Sequence, residues 1–174
     1  VFDFGDIEGT YYMVMEYIRG KDLASLLRQV STAVEKTASV ERVALELEIV
    51  KAILYQIASA LDYAHTQGLV HRDVKPSNVL LENLAEADLE PGEYTRNPAT
   101  FRAVLTDFGI AKIFGTDTAA TQTGILMGTL DYMAPEQIRS AGHVDLRADI
   151  YALGVMAFQM LTGMFIPLQI LPAT

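Results

Sequence analysis

His71-Arg72-Asp73-Val74-Lys75-Pro76-Ser77-Asn78 is the stretch on which the reading of this chain turns. It places an acceptor carboxylate, a cation and an amide oxygen in one short loop. Asp73 is suited to take or orient a hydroxyl proton. Lys75, two residues on, can balance charge on a phosphoryl group in transfer. Asn78 offers a neutral oxygen of the kind that a hard cation such as Mg²⁺ accepts. Pro76 fixes its own φ and biases Lys75 toward extended backbone, which predicts a loop here and not a helix.

Working outward, Val104-Leu105-Thr106 reads as a short strand and Asp107-Phe108-Gly109 follows it directly. A carboxylate at a strand end, beside a glycine, can turn toward a metal. Met133-Ala134-Pro135-Glu136 comes later. A lone D-F-G is usually just a turn. H-R-D-x-K-x-x-N, D-F-G and A-P-E in this order, however, resemble the signature set of the eukaryotic-type (Hanks-type) protein kinases. Lys75-Pro76-Ser77-Asn78 resembles the serine/threonine branch, and Thr121-Gln122-Thr123 with Gly128–Gln137 is most similar to bacterial members. The resemblance runs from about Val1 to Gly163. It implies an α+β, kinase-like fold made mostly of the helical large lobe. Residues 1–17 would be a remnant of the small lobe, its last hairpin and the start of the hinge. Residues 18–174 would be the large lobe, incomplete after about 163.

The bulk composition agrees with one packed domain. The chain has 174 residues, 51% of them apolar, enough for a real core and too many for a disordered segment. A net charge of −9 argues against general nucleic-acid binding, whose footprint is a basic face. There are no cysteines, hence no disulfide and no Cys-based metal site, which is compatible with a reducing cytoplasm.

Along the chain, Val1–Phe4 and Tyr11–Tyr17 read as a hairpin around Glu8-Gly9. Leu23, Leu26, Leu27 and Val30 have helical spacing. Ile49, Ile53, Ile57, Leu61 and Ala64 form a stripe that marks a core-facing helix ended by Gly68. His65, in its last turn, reads as a helix-dipole partner and nothing more. Leu69-Val70 reads as a two-residue strand, and Val79-Leu80-Leu81 as another. Residues 31–48 and 82–102 read as insertions, the second acidic and suited to a solvated surface loop. Ala111–Met127 is threonine-rich and cannot pack a core. Ile150–Thr174 carries no charge. That length suffices for a membrane span, but its glycines, glutamines and prolines favour a buried core helix that is apolar on all sides.

The resemblance also implies roles. Asp73, Lys75, Asn78 and Asp107 would be catalytic, with Asn78 and Asp107 holding Mg²⁺ on ATP. Met15 would be the gatekeeper. The backbone of Glu16 and Ile18 would meet the adenine and Leu80 would pack under it. Asp22 would reach the ribose, its plain alternative being the N-cap of the next helix. Arg72 would pair with a phosphate on Thr121 or Thr123, and Thr129 would help hold the substrate. His71, Phe108, Gly109, Glu136 and Asp149 would be structural, with the His71 ring beneath Phe108 and Asp149 bonded to the loop backbone.

The implied activity is transfer of the ATP γ-phosphoryl group to Ser or Thr hydroxyls of proteins, including autophosphorylation in trans. A cytoplasmic catalytic domain is implied, with any membrane association made through parts outside this sequence. The family's glycine-rich loop, strand lysine and helix glutamate would lie before Val1. The rest of the large lobe, with the arginine that pairs with Glu136, would lie beyond Thr174. The expectation is therefore a piece of a longer protein with little kinase activity of its own. The rival classes are a pseudokinase scaffold and a small-molecule phosphotransferase of kinase-like fold. Intact catalytic residues count against the first, and the D-F-G to A-P-E stretch counts against the second.

Overall fold

Glu8 and Gly9 both adopt positive φ, 54° and 81°, the twist of a two-residue type I′ hairpin loop. They join β1 (Asp3–Ile7) to β2 (Thr10–Val14), antiparallel, with Ile7 opposite Thr10 and Asp3 opposite Val14. The computed structural model describes residues 2–35, 45–83, 101–108, 130–139 and 144–164. The hairpin lies where the sequence puts it, but its second strand stops at Val14 and not at Tyr17. Beyond Val14 the opposite strand has ended, and Met15–Arg19 is neither strand nor helix.

A second, three-stranded sheet has the order β3-β4-β5, with β3 at Gly20–Asp22, β4 at Val79–Asn83 and β5 at Phe101–Leu105. β3 has no strand pattern of its own, and it forms because Gly20 can lie against β4. A Cβ at Gly20 would sit 1.9 Å from the Leu81 carbonyl oxygen, so only glycine fits. β5 begins at Phe101, three residues earlier than expected, and Thr106 lies past its end. Its sequence alternates, burying Phe101, Ala103 and Leu105 while Arg102 points out. On the outer face Arg102 Nε donates to Glu82 Oε2 at 2.7 Å, its direct partner on β4.

Asp22 ends β3 and caps α1 (Leu23–Glu35). Its carboxylate accepts from the Ser25 N–H at 2.8 Å and the Ser25 hydroxyl at 2.6 Å. α2 (Leu47–Thr66) buries the expected stripe of Ile49, Ile53, Ile57, Leu61 and Ala64. It ends in a Schellman turn: the Leu69 N–H reaches Ala64 O, the Gly68 N–H reaches His65 O, and Gly68 takes φ 74°. That turn occupies the Leu69 N–H, and Leu69-Val70 is not a strand, contrary to the sequence reading.

A 3₁₀ turn at Pro76–Asn78 leads into β4, with Lys75 extended before it. Later come a 3₁₀ turn at Leu130–Tyr132, α3 (Pro135–Arg139) and α4 (Arg147–Thr162). The core packs α1, α2 and α4 against the inner face of β4 and β5, around Leu23, Ile53, Ile57, Leu81, Met156 and Met160. α4 is not buried on all sides as its composition suggested. Ile150, Tyr151 and Leu161 are exposed, while Asp149, Val155, Met156 and Met160 face inward. No described helix is long and apolar enough to cross a membrane.

Candidate active site

Loop 71–78 is held from below by α4. Asp149 is 1% exposed, and its two carboxylate oxygens accept the backbone N–H groups of His71 at 2.8 Å and Arg72 at 2.7 Å. The same Oδ2 faces His65 Nε2 of α2 at 2.8 Å. The sequence reading of His65 as a bare dipole partner is thereby corrected: the ring is half-buried and bridges two helices. Nothing in the spacing pointed to this contact, because its partner lies 84 residues away. Three donors around one buried carboxylate are what makes its burial tolerable.

His71 is fully buried. Its Nδ1 accepts the Asp73 N–H at 3.3 Å and its Nε2 donates to Thr106 O at 2.9 Å. These two bonds require the neutral Nε2–H tautomer. The ring also lies against Phe108, with centroids 4.6 Å apart and planes tilted by 51°. With both nitrogens occupied, the imidazole ties the loop to the strand end before Asp107.

Asn78 makes the second tie. Its Nδ2 donates to Asp73 O at 2.8 Å and Asp73 Oδ2 at 3.0 Å. Its backbone carbonyl accepts from the Thr106 N–H at 2.9 Å and the Thr106 hydroxyl at 3.3 Å. Lys75 Nζ lies 2.7 Å from Asp73 Oδ2. Asp73, Lys75, Asn78 and the residue preceding Asp107 therefore form one connected group. Asp107 itself is exposed, with φ 61°, and Arg72 has φ 65°. Both are left-handed non-glycine residues, a conformation that surrounding structure must enforce. Arg72 has an exposed side chain and makes no ion pair among the described residues.

The residues expected to meet a nucleotide are grouped less tightly. Asp22 and Leu80 are direct partners in the β3–β4 ladder, and Leu80 is half-buried. Partial burial pushes the Asp22 carboxyl up, but the Ser25 hydroxyl and N–H outweigh it and hold the group below the usual carboxylate range. Met15 and Glu16 are exposed and Ile18 is half-buried. Glu16 accepts from Arg102 at 3.3 Å, which ties the segment after the hairpin to β5. Glu136 is exposed. Arg147 feels its charge, but the Arg147 guanidinium bonds Asp145. Gly109, Thr121, Thr123 and Thr129 lie outside the described residues, as do residues 36–44 of the first insertion and 84–100 of the second.

Sequence reasoning passed over two further side chains. Tyr132 donates its hydroxyl to Gln159 of α4, both buried. Gln137 of α3 donates from Nε2 to the Arg72 carbonyl at 3.0 Å.

Comparison with known proteins identifies the family. A family model described as the protein kinase domain matches residues 2–169. The serine/threonine-protein kinase PknE of Mycobacterium tuberculosis (strain ATCC 25618 / H37Rv) is 41% identical over 163 residues, 94% of this chain and 24% of that protein. The serine/threonine-protein kinase pkn3 of Myxococcus xanthus is 40% identical over 168 residues, 94% of this chain and 26% of that protein. The human serine/threonine-protein kinase ULK1 is 36% identical over 163 residues, 94% of this chain and 13% of that protein. The chain thus spans about a quarter or less of the length of these relatives. A loop that carries an acceptor carboxylate, a lysine and an asparagine, tied through His71 and Thr106 to a second exposed carboxylate, lies within a matched region of almost the whole chain: this chain belongs to the protein kinase domain family.

Proposed function

We propose that this chain is the catalytic part of a serine/threonine protein kinase that transfers the ATP γ-phosphoryl group to Ser or Thr hydroxyls of proteins. The observation that carries the reading is the paired bond set of Asn78, which holds the Asp73 carboxylate with its side chain and the strand end before Asp107 with its carbonyl. Asp73 and Thr106, the residue before Asp107, are thereby bonded to one asparagine.

Among the described residues, both side-chain partners of the Asp73 carboxylate fall on Oδ2. Oδ1 is the oxygen that receives and orients a substrate hydroxyl. Lys75 keeps positive charge beside that oxygen pair and offsets charge on the phosphoryl group. The Asn78 amide commits its N–H groups to Asp73, and its Oδ1, which faces the Ser77 hydroxyl at 3.5 Å, is the oxygen left to accept a cation. Asn78 Oδ1 and the exposed Asp107 carboxylate together make an all-oxygen donor pair, which suits Mg²⁺ carried on phosphates better than a protein-only cage. Asn78 and Asp107 would hold such an ion, with phosphate oxygens and water making up the rest of its coordination. Mg²⁺ bound there supplies charge neutralisation at the phosphates. His71 takes no proton, because both its nitrogens are occupied in holding the loop.

The nucleotide base would lie between the segment Met15–Ile18 and Leu80, with Asp22 toward the ribose. Residues 1–17 are read as the edge of a smaller lobe and residues 18–174 as the larger one. Arg72, exposed and next to Asp73, is the docking point for a phosphate on Thr121 or Thr123, and Thr129 would help hold the acceptor.

The test is phosphate transfer from γ-labelled ATP to dephosphorylated casein by the full-length protein. Asp107→Asn is expected to remove transfer by at least about a hundredfold, the scale on which a positioned charge acts. Retention of wild-type transfer by Asp107→Asn would refute the assignment.

A further inference from the structure

Arg72 is held in its left-handed conformation through both of its own backbone polar groups. Its N–H donates to Asp149 Oδ1 at 2.7 Å and its carbonyl accepts from Gln137 Nε2 at 3.0 Å. The Gln137 amide is also used at its other end: Oε1 accepts the Ala134 N–H at 2.9 Å. Ala134 is the residue before α3 and Pro135 its first helical position, so this contact is half of a capping box, with Gln137 at the third position. One amide thus spans two peptide groups 62 residues apart, Ala134 and Arg72. Gln137 needs both a carbonyl and an N–H for this. A glutamate could cap α3 but has no donor for Arg72.

The segment before α3 is anchored on its other side as well. Tyr132 bonds Gln159 of α4, the helix that also carries Asp149. α4 therefore fixes the catalytic loop through Asp149 and the 130–136 segment through Gln159, and Gln137 closes the frame between the two.

We propose that Gln137 is a positioning residue that sets segment 130–136, which follows the proposed acceptor contact Thr129, against loop 71–78, and so determines where a substrate hydroxyl meets Asp73. This rests on the kinase reading of the site. Breaking the bridge frees the acceptor side while leaving Asp73, Asn78 and Thr106, the residue before Asp107, tied to one another. Transfer to a protein hydroxyl then suffers more than transfer to water.

The experiment compares casein phosphorylation with ATP hydrolysis in the absence of acceptor, using the full-length protein and its Gln137→Glu, Gln137→Met and Asp107→Asn variants. Gln137→Glu retains the contact with Ala134 and loses the donor to Arg72. Its ratio of casein phosphorylation to ATP hydrolysis is expected to fall about tenfold, the scale of one lost hydrogen bond with a carbonyl left unpaired. The KM for casein should rise, and that for ATP should stay within about twofold of wild type. Gln137→Met, similar in length, should shift the ratio the same way even if its helix cap is weaker. A defect of folding alone would lower both activities together and leave both KM values in place. That result, or an unchanged ratio in both Gln137 variants, would overturn the proposal. Asp107→Asn is expected to lose both activities. If it retains them, the underlying site reading fails, whatever the Gln137 variants do.

Discussion

Tyr132 and Gln159 show what a single buried pair contributes at the scale of one residue. Burial, followed by the charge of neighbouring Asp131, raises the Tyr132 phenol from 10.0 to about 12, while the Gln159 bond acts in the other direction. A raised pKa in the folded state means that the folded protein keeps its proton to higher pH than the unfolded chain. The Tyr132 contribution is thus complete below pH 10.0 and declines as pH climbs toward 12. Tyr132→Phe leaves Gln159 buried without that partner, and we expect a loss of about 1–3 kcal/mol in urea unfolding at neutral pH. The gap between wild type and variant should narrow above pH 10.0. A gap that widens with alkali would contradict the assignment. The same scale explains why His65 was misread. A histidine in the last turn of a helix does favour the dipole, but its ring here meets Asp149, and no local pattern announces a partner on another helix.

Elements in this fold are joined at their ends by single polar side chains. Asp22 closes β3 and opens α1 at once, since the residue paired with Leu80 in the sheet also caps the helix. Asp22→Ala should cost about 1 kcal/mol, the usual effect of removing an N-cap. Because the folded carboxyl is held below its ordinary value of 3.8, this contribution is present above that pH and is lost as pH falls through the lowered folded value. Thermal melts at neutral pH and near pH 3 should show the difference between wild type and variant shrinking on acidification. A difference independent of pH would assign the stability to packing instead. Gln56 of α2 does similar work on the sheet edge, its Oε1 accepting the Ala103 N–H at 2.9 Å. That bond satisfies an outward donor of β5 that no strand covers among the described residues.

On the scale of the molecule, the distribution of apolar surface is uneven. α2, α4 and the three-stranded sheet share one core, whereas the hairpin β1–β2 and the residues flanking it leave Phe2, Phe4 and Tyr17 at 75%, 69% and 84% exposure. An isolated two-stranded hairpin is marginal in water, and exposed aromatic area of this kind promotes association. The 174-residue chain, purified alone, is therefore expected to self-associate and to bind a hydrophobic dye. Phe2→Ser combined with Phe4→Ser should reduce both signals in light scattering and fluorescence. A monodisperse monomer that binds no dye would show that this surface is covered by something else in the chain.

The amino-acid sequence by itself determined the family, the α2 stripe, the Glu8-Gly9 turn and the polar residues of loop 71–78. Each of these is written locally, as a helical period, a turn dipeptide or a fixed spacing of a few residues. It left β3 and the true start of β5 unread, because Gly-Lys-Asp has no strand period and forms one only where Leu81 allows a backbone to come close. The tertiary structure alone decided which polar side chains meet: His65 with Asp149 across 84 residues, Gln137 with Arg72 across 65, and Tyr132 with Gln159 across 27. A hydrogen bond between distant segments has no period and no fixed spacing. Only the packing of α2, α3 and α4 around the loop brings each donor to its acceptor.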